Sequence, residues 1–452
     1  MNNLASSHSY ESKKSFTTRA LLVVGSVSLI FLLRLVVVIV FGNIDASDLS
    51  RVGGDHSVYF STAKELASNG EAWFQPGSEF GYRAPLYFAF LSALYWVNNE
   101  PSYVLGQIGT ALLASINCLL VYFLARETVD GSSAKVSMWI RGFSPPFVIA
   151  DTFVLSEPLF ATFLLSALLL LYASSKDYSL LYPGLLGAMI GCCMLTREVA
   201  LAYPGIIAGC MFLLPGSKRI KIKRFLIFIF SLLLVLSPWL LRNVMVWGKP
   251  FPLSYTSGIN LHIGNNPESN GRWAKPPETN MPSEIKWGTP EYDSWHRQQA
   301  ISFIMKNPTQ FVILGMKRMA WFLWPRFLRD DIQVVYGWTP RVSLTISMIC
   351  GLTSACIFIL GILGFVMRAR DWFWWVSATI FFYTAIVTFA VAGSPRYRDP
   401  IDLLLLIYAG YAVVHWREFL NRATFDRYKL LILLVLYSYL LACWSWAGSQ
   451  LI

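Results

Sequence analysis

GGDHSVYFSTAKELASNGEAWFQPGSEFGYRAPLY, residues 53–87, is a polar stretch between an apolar segment at 20–41 and a long series of further apolar segments. The segment at 20–41 is long enough to cross a bilayer as a helix. It follows Lys13, Lys14 and Arg19, and cations beside a span are retained on the inner side, so residues 53–87 are expected on the outer face. Asp55 there can take a proton, and Arg83, two residues before Pro85, is a fixed cation. A carboxylate and a guanidinium at a membrane surface suit the transfer of a group from an anionic lipid to a neutral acceptor.

Composition fixes the class. The 452 residues are 55% hydrophobic and 14% charged, with 31 Phe, 21 Tyr and 17 Trp, which leaves too little polar surface for a soluble fold of this length. An all-α polytopic membrane protein is predicted. The net charge of +11 needs no nucleic acid, because Lys and Arg gathered in inner loops meet anionic lipid heads. All seven cysteines lie in apolar runs without metal-site spacing and read as packing residues. Neither GxGxxG nor a phosphate-loop lysine motif is present, so no nucleotide site is expected.

Residues 20–41 read as an uncleaved anchor, since a signal peptide has a shorter apolar core and a small-residue cleavage site that Asn43-Ile44-Asp45 does not offer. Arg34 inside the span is either a buried structural partner or a functional group. Apolar runs follow at about 85–97, 103–125, 136–150, 158–174, 180–195 and 199–214. Lys218, Arg219, Lys221, Lys223 and Arg224 then form a basic loop expected inside, before a span at 225–241. Six full crossings after Pro85 would put that loop on the Asp55 side, so one run is not a full crossing. The candidates are 136–150, which carries Arg141 and Pro145-Pro146, and the pair of runs flanking Thr196-Arg197.

From Arg242 to about Pro308 runs a second outside loop rich in Asn, Gly, Pro and Trp, long enough for a lid or binding loop. Residues 309–340 mix Lys317, Arg318, Arg326, Arg329, Asp330 and Asp331 with Trp321, Trp324 and Phe327, as an interfacial helix would. Further spans lie near 342–366, 372–391, 401–414 and 430–446, and Arg368, Arg370, Arg417, Arg422, Arg427 and Lys429 mark inside turns. The total is about eleven crossings, within roughly ten to thirteen. The chain divides into a tail at 1–19, a membrane module at 20–241 with the outside loop 43–84, an outside segment with interfacial helices at 242–341, and C-terminal spans at 342–452.

Several polar residues remain outside or at membrane depth: Asp151 and Glu157 in DTFVLSEP, Arg197-Glu198, Arg242-Asn243, and Arg396 and Arg398 around Tyr397. Arg197-Glu198 reads either as an ion pair closing a helix end or as part of a site. Two cations on the outer side break the charge rule, and a phosphate role for Arg83, Arg396 and Arg398 is favoured over a loop terminus. His56 reads as a neighbour that tunes Asp55. The string Asp45, Asp48, Asp55, His56 is a weak signal for a divalent cation, and no other cofactor is suggested. Asp55 is the expected general base, with capping of the following helix as the rival role.

The ordered motifs GDHSVYFSTAKELASNG, YRAPLY, LSEPLF, LTRE, PWLLRNVMVWGKPFPLS, GNNP and PRYRDP resemble a GT-C membrane glycosyltransferase of the glycosyltransferase family 39 type, over nearly the whole chain. Relatives include the protein O-mannosyltransferases and the lipid A aminoarabinose transferases. The resemblance implies the GT-C fold, a polyprenyl-phosphate sugar donor, and catalysis on the periplasmic or lumenal face of a membrane, here the bacterial inner membrane. It also implies an acid of the first outside loop as base, a position that Asp55 matches. His56 departs from the second acid that many members carry, and Arg83 stands near the place of a lysine. Tyr59, Tyr87, Asn265, Asn266 and Tyr397, with His56, Glu157, Arg197, Arg242 and Asn243, are the supporting or substrate-binding candidates. No large polar domain follows residue 400, so the acceptor (a lipid, a glycan or a protein hydroxyl) is expected to meet the loops and the membrane surface. A lipid or solute transporter and a non-catalytic envelope assembly partner are the rival classes, and no internal repeat supports the former.

Overall fold

The computed structural model describes residues 2–41, 54–75, 79–98, 101–250, 253–328, 332, 337–419 and 427–450. Among these, all regular structure is helical. Helix α1 (Asn2–Phe41) contains the first apolar segment, and α2 (Gly54–Ser68) begins the polar stretch. Then come α3 (Leu86–Asn98), α4 (Tyr103–Thr128), α5 (Gly131–Phe143), α6 (Pro145–Ala150), α7 (Glu157–Lys176), α8 (Leu181–Thr196), α9 (Tyr203–Leu213) and α10 (Lys218–Trp247). The C-terminal part holds α11 (Ser257–Gly264), α12 (Pro290–Lys306), α13 (Pro308–Leu323), α14 (Pro340–Met367), α15 (Trp372–Ala390), α16 (Asp399–Val414), α17 (Trp416–Phe419) and α18 (Arg427–Ser449).

Local signals set the helix ends. Ser102 and Asp130 accept backbone amides at the starts of α4 and α5, and Gly248, at φ 68°, closes α10 in the left-handed region that glycine adopts without strain. Pro238 inside α10 cannot donate to Leu234, and the Ser237 hydroxyl takes that carbonyl at 2.9 Å, so the break leaves no orphan acceptor. Close helix approach rests on small residues. A Cβ at Gly187 of α8 would strike the Phe228 carbonyl of α10, and one at Gly364 of α14 would strike the Tyr408 carbonyl of α16.

Seven helices among the described residues are long and apolar enough to cross a membrane: α1, α4, α7, α10, α14, α15 and α18. Three apolar helical stretches, 86–98, 181–196 and 198–213, are shorter. The chain breaks at both places the sequence left open, at Ser144-Pro145-Pro146 between α5 and α6, and at Arg197 between α8 and a 3-10 turn at 198–202. The basic segment at 218–224 departs from expectation: it is the first turns of α10 and not a loop. Ser217 caps it, and its cations bind carbonyls at neighbouring chain ends: Lys221 holds Phe212 O of α9 at 2.8 Å, and Arg224 holds Pro215 O and Asp177 O. The expected single interfacial helix is shorter too, because α13 ends before Pro325 and Arg326 lies beyond it; Asp330 and Asp331 are outside the described residues.

The two ends of the bundle differ chemically. At one lie the basic start of α10, the Arg368–Asp371 pair bound to Thr128 O, and His415 between Asp130 and Glu418. At the other lie α2 and the far end of α10, where Arg242 donates to Trp73 O at 2.8 Å.

Candidate active site

Asp55 occupies the first turn of α2, just after Gly54, whose φ of 71° puts the chain in the left-handed region as it enters the helix. Its two carboxylate oxygens accept from guanidiniums far apart in sequence: Arg83 bonds Oδ1, and Arg396 bonds Oδ2 at 2.7 Å. Arg396 also bonds Oε1 of Glu157, which opens α7, and Arg197 reaches the same oxygen at 2.8 Å. Three guanidiniums thus alternate with two carboxylates across five segments that only the fold brings together. Ser156 links Arg197 to Tyr59, at 3.2 Å to each. The Arg83 guanidinium lies 5.6 Å from the ring centres of both Tyr59 and Tyr82.

Burial pushes the Asp55 carboxyl up, but the Arg83 and Arg396 charges overcome it and hold it at about 2. Asp55 is therefore ionised at every physiological pH. Neighbouring Glu198 has the opposite balance. Burial pushes it up to about 7, although the hydroxyls of Ser254 and Thr256 bond it. Arg197 and Glu198 do not pair with each other; the extended backbone at Arg197 (φ −150°) leaves α8 and sends Arg197 to Glu157 and Glu198 to the 253–256 strap. Tyr255 of that strap donates its amide to Gly81 O at 2.9 Å, tying it to the turn that carries Arg83.

Behind Glu157 and Arg396 opens a cavity of about 180 Å³. Its walls are apolar (Phe147, Phe153, Leu155, Phe327, Leu328 and Leu403 among them) with Arg141, Arg326 and Arg396 set into them. Arg326 pairs with Asp399 and Asp402, yet its Nε and that of Arg141 have no acceptor among the described residues. Buried donors without acceptors on a cavity wall are ready for an anion.

The other expected site residues are placed as follows. Arg398 is buried away from Asp55, bonded to Asp402 at 2.6 Å and to Phe322 O and Trp324 O, with its guanidinium 4.6 Å from the Phe358 ring centre. Residues two apart in a 3-10 turn point to different sides, so Pro395–Arg398 sends Arg396 to the site and Arg398 to the core. Tyr397 of the same turn packs with Phe322, Phe358 and Ile401. His56 is buried with its ring edge-on to Phe153. Tyr87 bonds Thr110 at 2.8 Å inside the bundle, its ring edge against Tyr59. Arg242 binds Asn243 as well as Trp73 O. Asn265 donates to Leu261 O and Ala390 O and accepts from buried Arg318, while Asn266 folds back on His262 O. The GNNP motif is thus a knot that fixes α11 to α13 and α15. Asp151 is enclosed by Arg34 and Arg141, which makes Arg34 a buried partner. Arg326 was legible only as one cation in an aromatic-rich run, with nothing local to mark it.

These residues do not fit a divalent cation. Both oxygens of Asp55 are held by cations, His56 packs on Phe153, and no group of three His, Cys, Asp or Glu that could hold a metal exists among the described residues. Asp45 and Asp48 lie outside them.

Residues 82–241 match the family model described as dolichyl-phosphate-mannose-protein mannosyltransferase. The oligosaccharyltransferase of Archaeoglobus fulgidus in its apo form superposes with a TM-score of 0.53 at 14% identity, over 95% of this chain and 56% of that one. The same enzyme tethered to an acceptor peptide containing the NVT sequon gives 0.50 at 13% identity, over 95% and 55%. ArnT of Cupriavidus metallidurans bound to undecaprenyl phosphate gives 0.43 at 14% identity, over 87% and 78%. The chain thus spans a little over half the length of the archaeal enzyme. No curated protein matches it in sequence. The chain is a polytopic helical protein of the GT-C fold, and the part of it at residues 82–241 is similar to the model described as dolichyl-phosphate-mannose-protein mannosyltransferase.

Proposed function

We propose that this chain transfers a sugar from a polyprenyl-phosphate-linked donor to an acceptor hydroxyl at the outer membrane face, by a single inverting displacement with Asp55 as general base. The observation that carries the reading is the clamp itself: an ionised carboxylate held by two guanidiniums at the edge of an apolar, arginine-set cavity. The donor is a phosphodiester with one negative charge. As the acceptor oxygen bonds the anomeric carbon, the bond from that carbon to the phosphate oxygen breaks, and the electron pair leaves with a polyprenyl phosphate monoester. Arg396 and Arg326 stabilise that growing charge, and the acceptor proton passes to Asp55.

The clamp has a kinetic role in this reading. With two guanidiniums on it, Asp55 sits at about 2 and is a weak base. A phosphate that draws Arg396 toward itself relieves Asp55 of one cation and raises its basicity, so base strength follows donor binding. The outer placement is supported by the bundle's asymmetry, since the basic start of α10 lies at the end opposite Asp55. An inner bacterial membrane with a periplasmic site fits that polarity, and a lipid, glycan or protein hydroxyl is the acceptor. Incubating purified protein with a polyprenyl-phosphate sugar, acceptor-bearing membranes and no nucleotide should release polyprenyl phosphate and label the acceptor. An intact donor, or a donor merely moved across proteoliposomes, would overturn the reading.

A further inference from the structure

Glu157 is the one carboxylate of the clamp that also lines the cavity, and its two oxygens have unequal surroundings. Oε1 receives both Arg396 and Arg197, while Oε2, also buried, has no hydrogen-bond partner among the described residues. The side chain is only 11% exposed and held between two guanidiniums, so its carboxylate is fixed in place. A buried carboxylate oxygen without a donor is unfavourable by itself, and it becomes favourable when a ligand brings one.

We infer that Glu157 Oε2 is the sugar-selecting acceptor of this site, taking a hydrogen bond from one hydroxyl of a neutral sugar. This rests on the polyprenyl-phosphate reading above and adds the class of sugar. Two considerations carry it. Glu157 stands between the cavity, whose Arg326 and Arg396 suit the phosphate, and Asp55, where the acceptor must approach, so the ring joining them passes Glu157. Charge then decides between a hydroxyl and an ammonium. Around Asp55 and Glu157 stand Arg83, Arg197 and Arg396, a surplus of one positive charge, which the single negative charge of a phosphodiester cancels. A neutral sugar leaves the filled site balanced, whereas an amino sugar would bury an extra cation.

The test uses full-length protein in lipid nanodiscs and measures binding of short-chain polyprenyl phosphate alone, the same lipid bearing mannose, glucose or galactose, their monodeoxy analogues, and a 4-amino-4-deoxy analogue. Glu157→Gln should weaken binding of the preferred hexosyl lipid about 10- to 100-fold, the worth of a hydrogen bond to a charged group, and leave the sugar-free lipid within about twofold. One monodeoxy analogue should bind the wild type as weakly as its parent binds the variant, and should lose nothing more in the variant. The amino analogue should bind the wild type more weakly than the hexosyl lipid. Equal losses for sugar-bearing and sugar-free lipids would make Glu157 a prop for Arg396 and overturn the inference alone, as would tighter binding of the amino sugar. Wild-type protein that binds no hexosyl lipid would overturn the donor reading beneath it.

Discussion

Of the carboxylates that two arginines clamp among the described residues, Asp151 and Asp55 stand at the two extremes of exposure. Asp151 is held by Arg34 and Arg141, with side chains 0–6% exposed, and Asp55 by Arg83 and Arg396, with side chains 24–32% exposed. The chemistry is the same, and access separates them. Arg141 engages Asp151 with both terminal nitrogens, and Arg34 spends its remaining donors on Ile30 O, Gly142 O and Arg141 O, so α1 is bolted to the α5–α6 corner. Around Asp55 the partners reach in from a turn before α3 and a 3-10 turn, and both guanidiniums stay partly exposed. A clamp sealed from water is a joint, and one left ajar can exchange partners.

Breaking each clamp should therefore give different phenotypes. The largest effect is expected for Asp151→Ala, which leaves two buried guanidiniums without a counter-charge at a cost of about 3–5 kcal/mol, so folded protein should be lost in size-exclusion profiles. Replacing Asp55 by Asn keeps size and removes basicity. Turnover should fall roughly 10²–10⁴-fold while donor binding and the melting temperature stay within reach of wild type. Near-normal turnover there would erase the contrast and make both clamps joints.

Next in size is the pair within PRYR. Arg396→Ala should weaken donor lipid binding by about 1.5–3 kcal/mol, with partial rescue by Lys, which keeps the charge but not the two-pronged geometry. Arg398→Ala should instead lower thermal stability, because it leaves Asp402 with Arg326 alone and strips two core carbonyls of their donor. Identical binding losses in the two variants would contradict their opposite placement.

The smallest effect is a pH dependence. Glu198 binds its proton more tightly folded, at about 7, than unfolded, at 4.5, so the folded state holds more protons between those values. Its contribution is full below about pH 4.5 and is lost as pH rises through 7. Melting temperature should decline across that window by a few degrees in the wild type and stay flatter in Glu198→Gln. A flat wild-type profile would place Glu198 among ordinary ionised carboxylates.

What was legible beforehand follows a physical line. Spans 103–125, 158–174, 342–366, 372–391 and 430–446 were readable because hydrophobic length is a local property that bilayer thickness demands, and α4, α7, α14, α15 and α18 sit there. Asp55 and Arg83 were readable as charges in a polar stretch, 28 positions apart. The Asp55–Arg396 contact spans 341 positions, and no local pattern encodes it. The basic segment at 218–224 resembles a loop by its charge, yet Ser217 and the helix-favouring Lys and Arg start α10 there, and Lys221 finds a carbonyl partner at the end of α9. Arg396 and Arg398 looked alike because composition does not record the angle between residues in a tight turn.

Helix α10 carries a consequence for how the protein sits in its bilayer. Its 30 residues measure about 45 Å, against roughly 30 Å of hydrocarbon, and its ends are tied down by Arg224 on Asp177 O and by Arg242 on Trp73 O. A strut longer than the oil it crosses must tilt or stand proud. Standing proud carries Arg242, Trp73 and the neighbouring α2 up to the level of the lipid headgroups, the depth at which a lipid's phosphate lies. A thinner bilayer would lift the Asp55 clamp toward water and a thicker one would draw it down, so membrane thickness itself becomes a setting on the depth of the clamp.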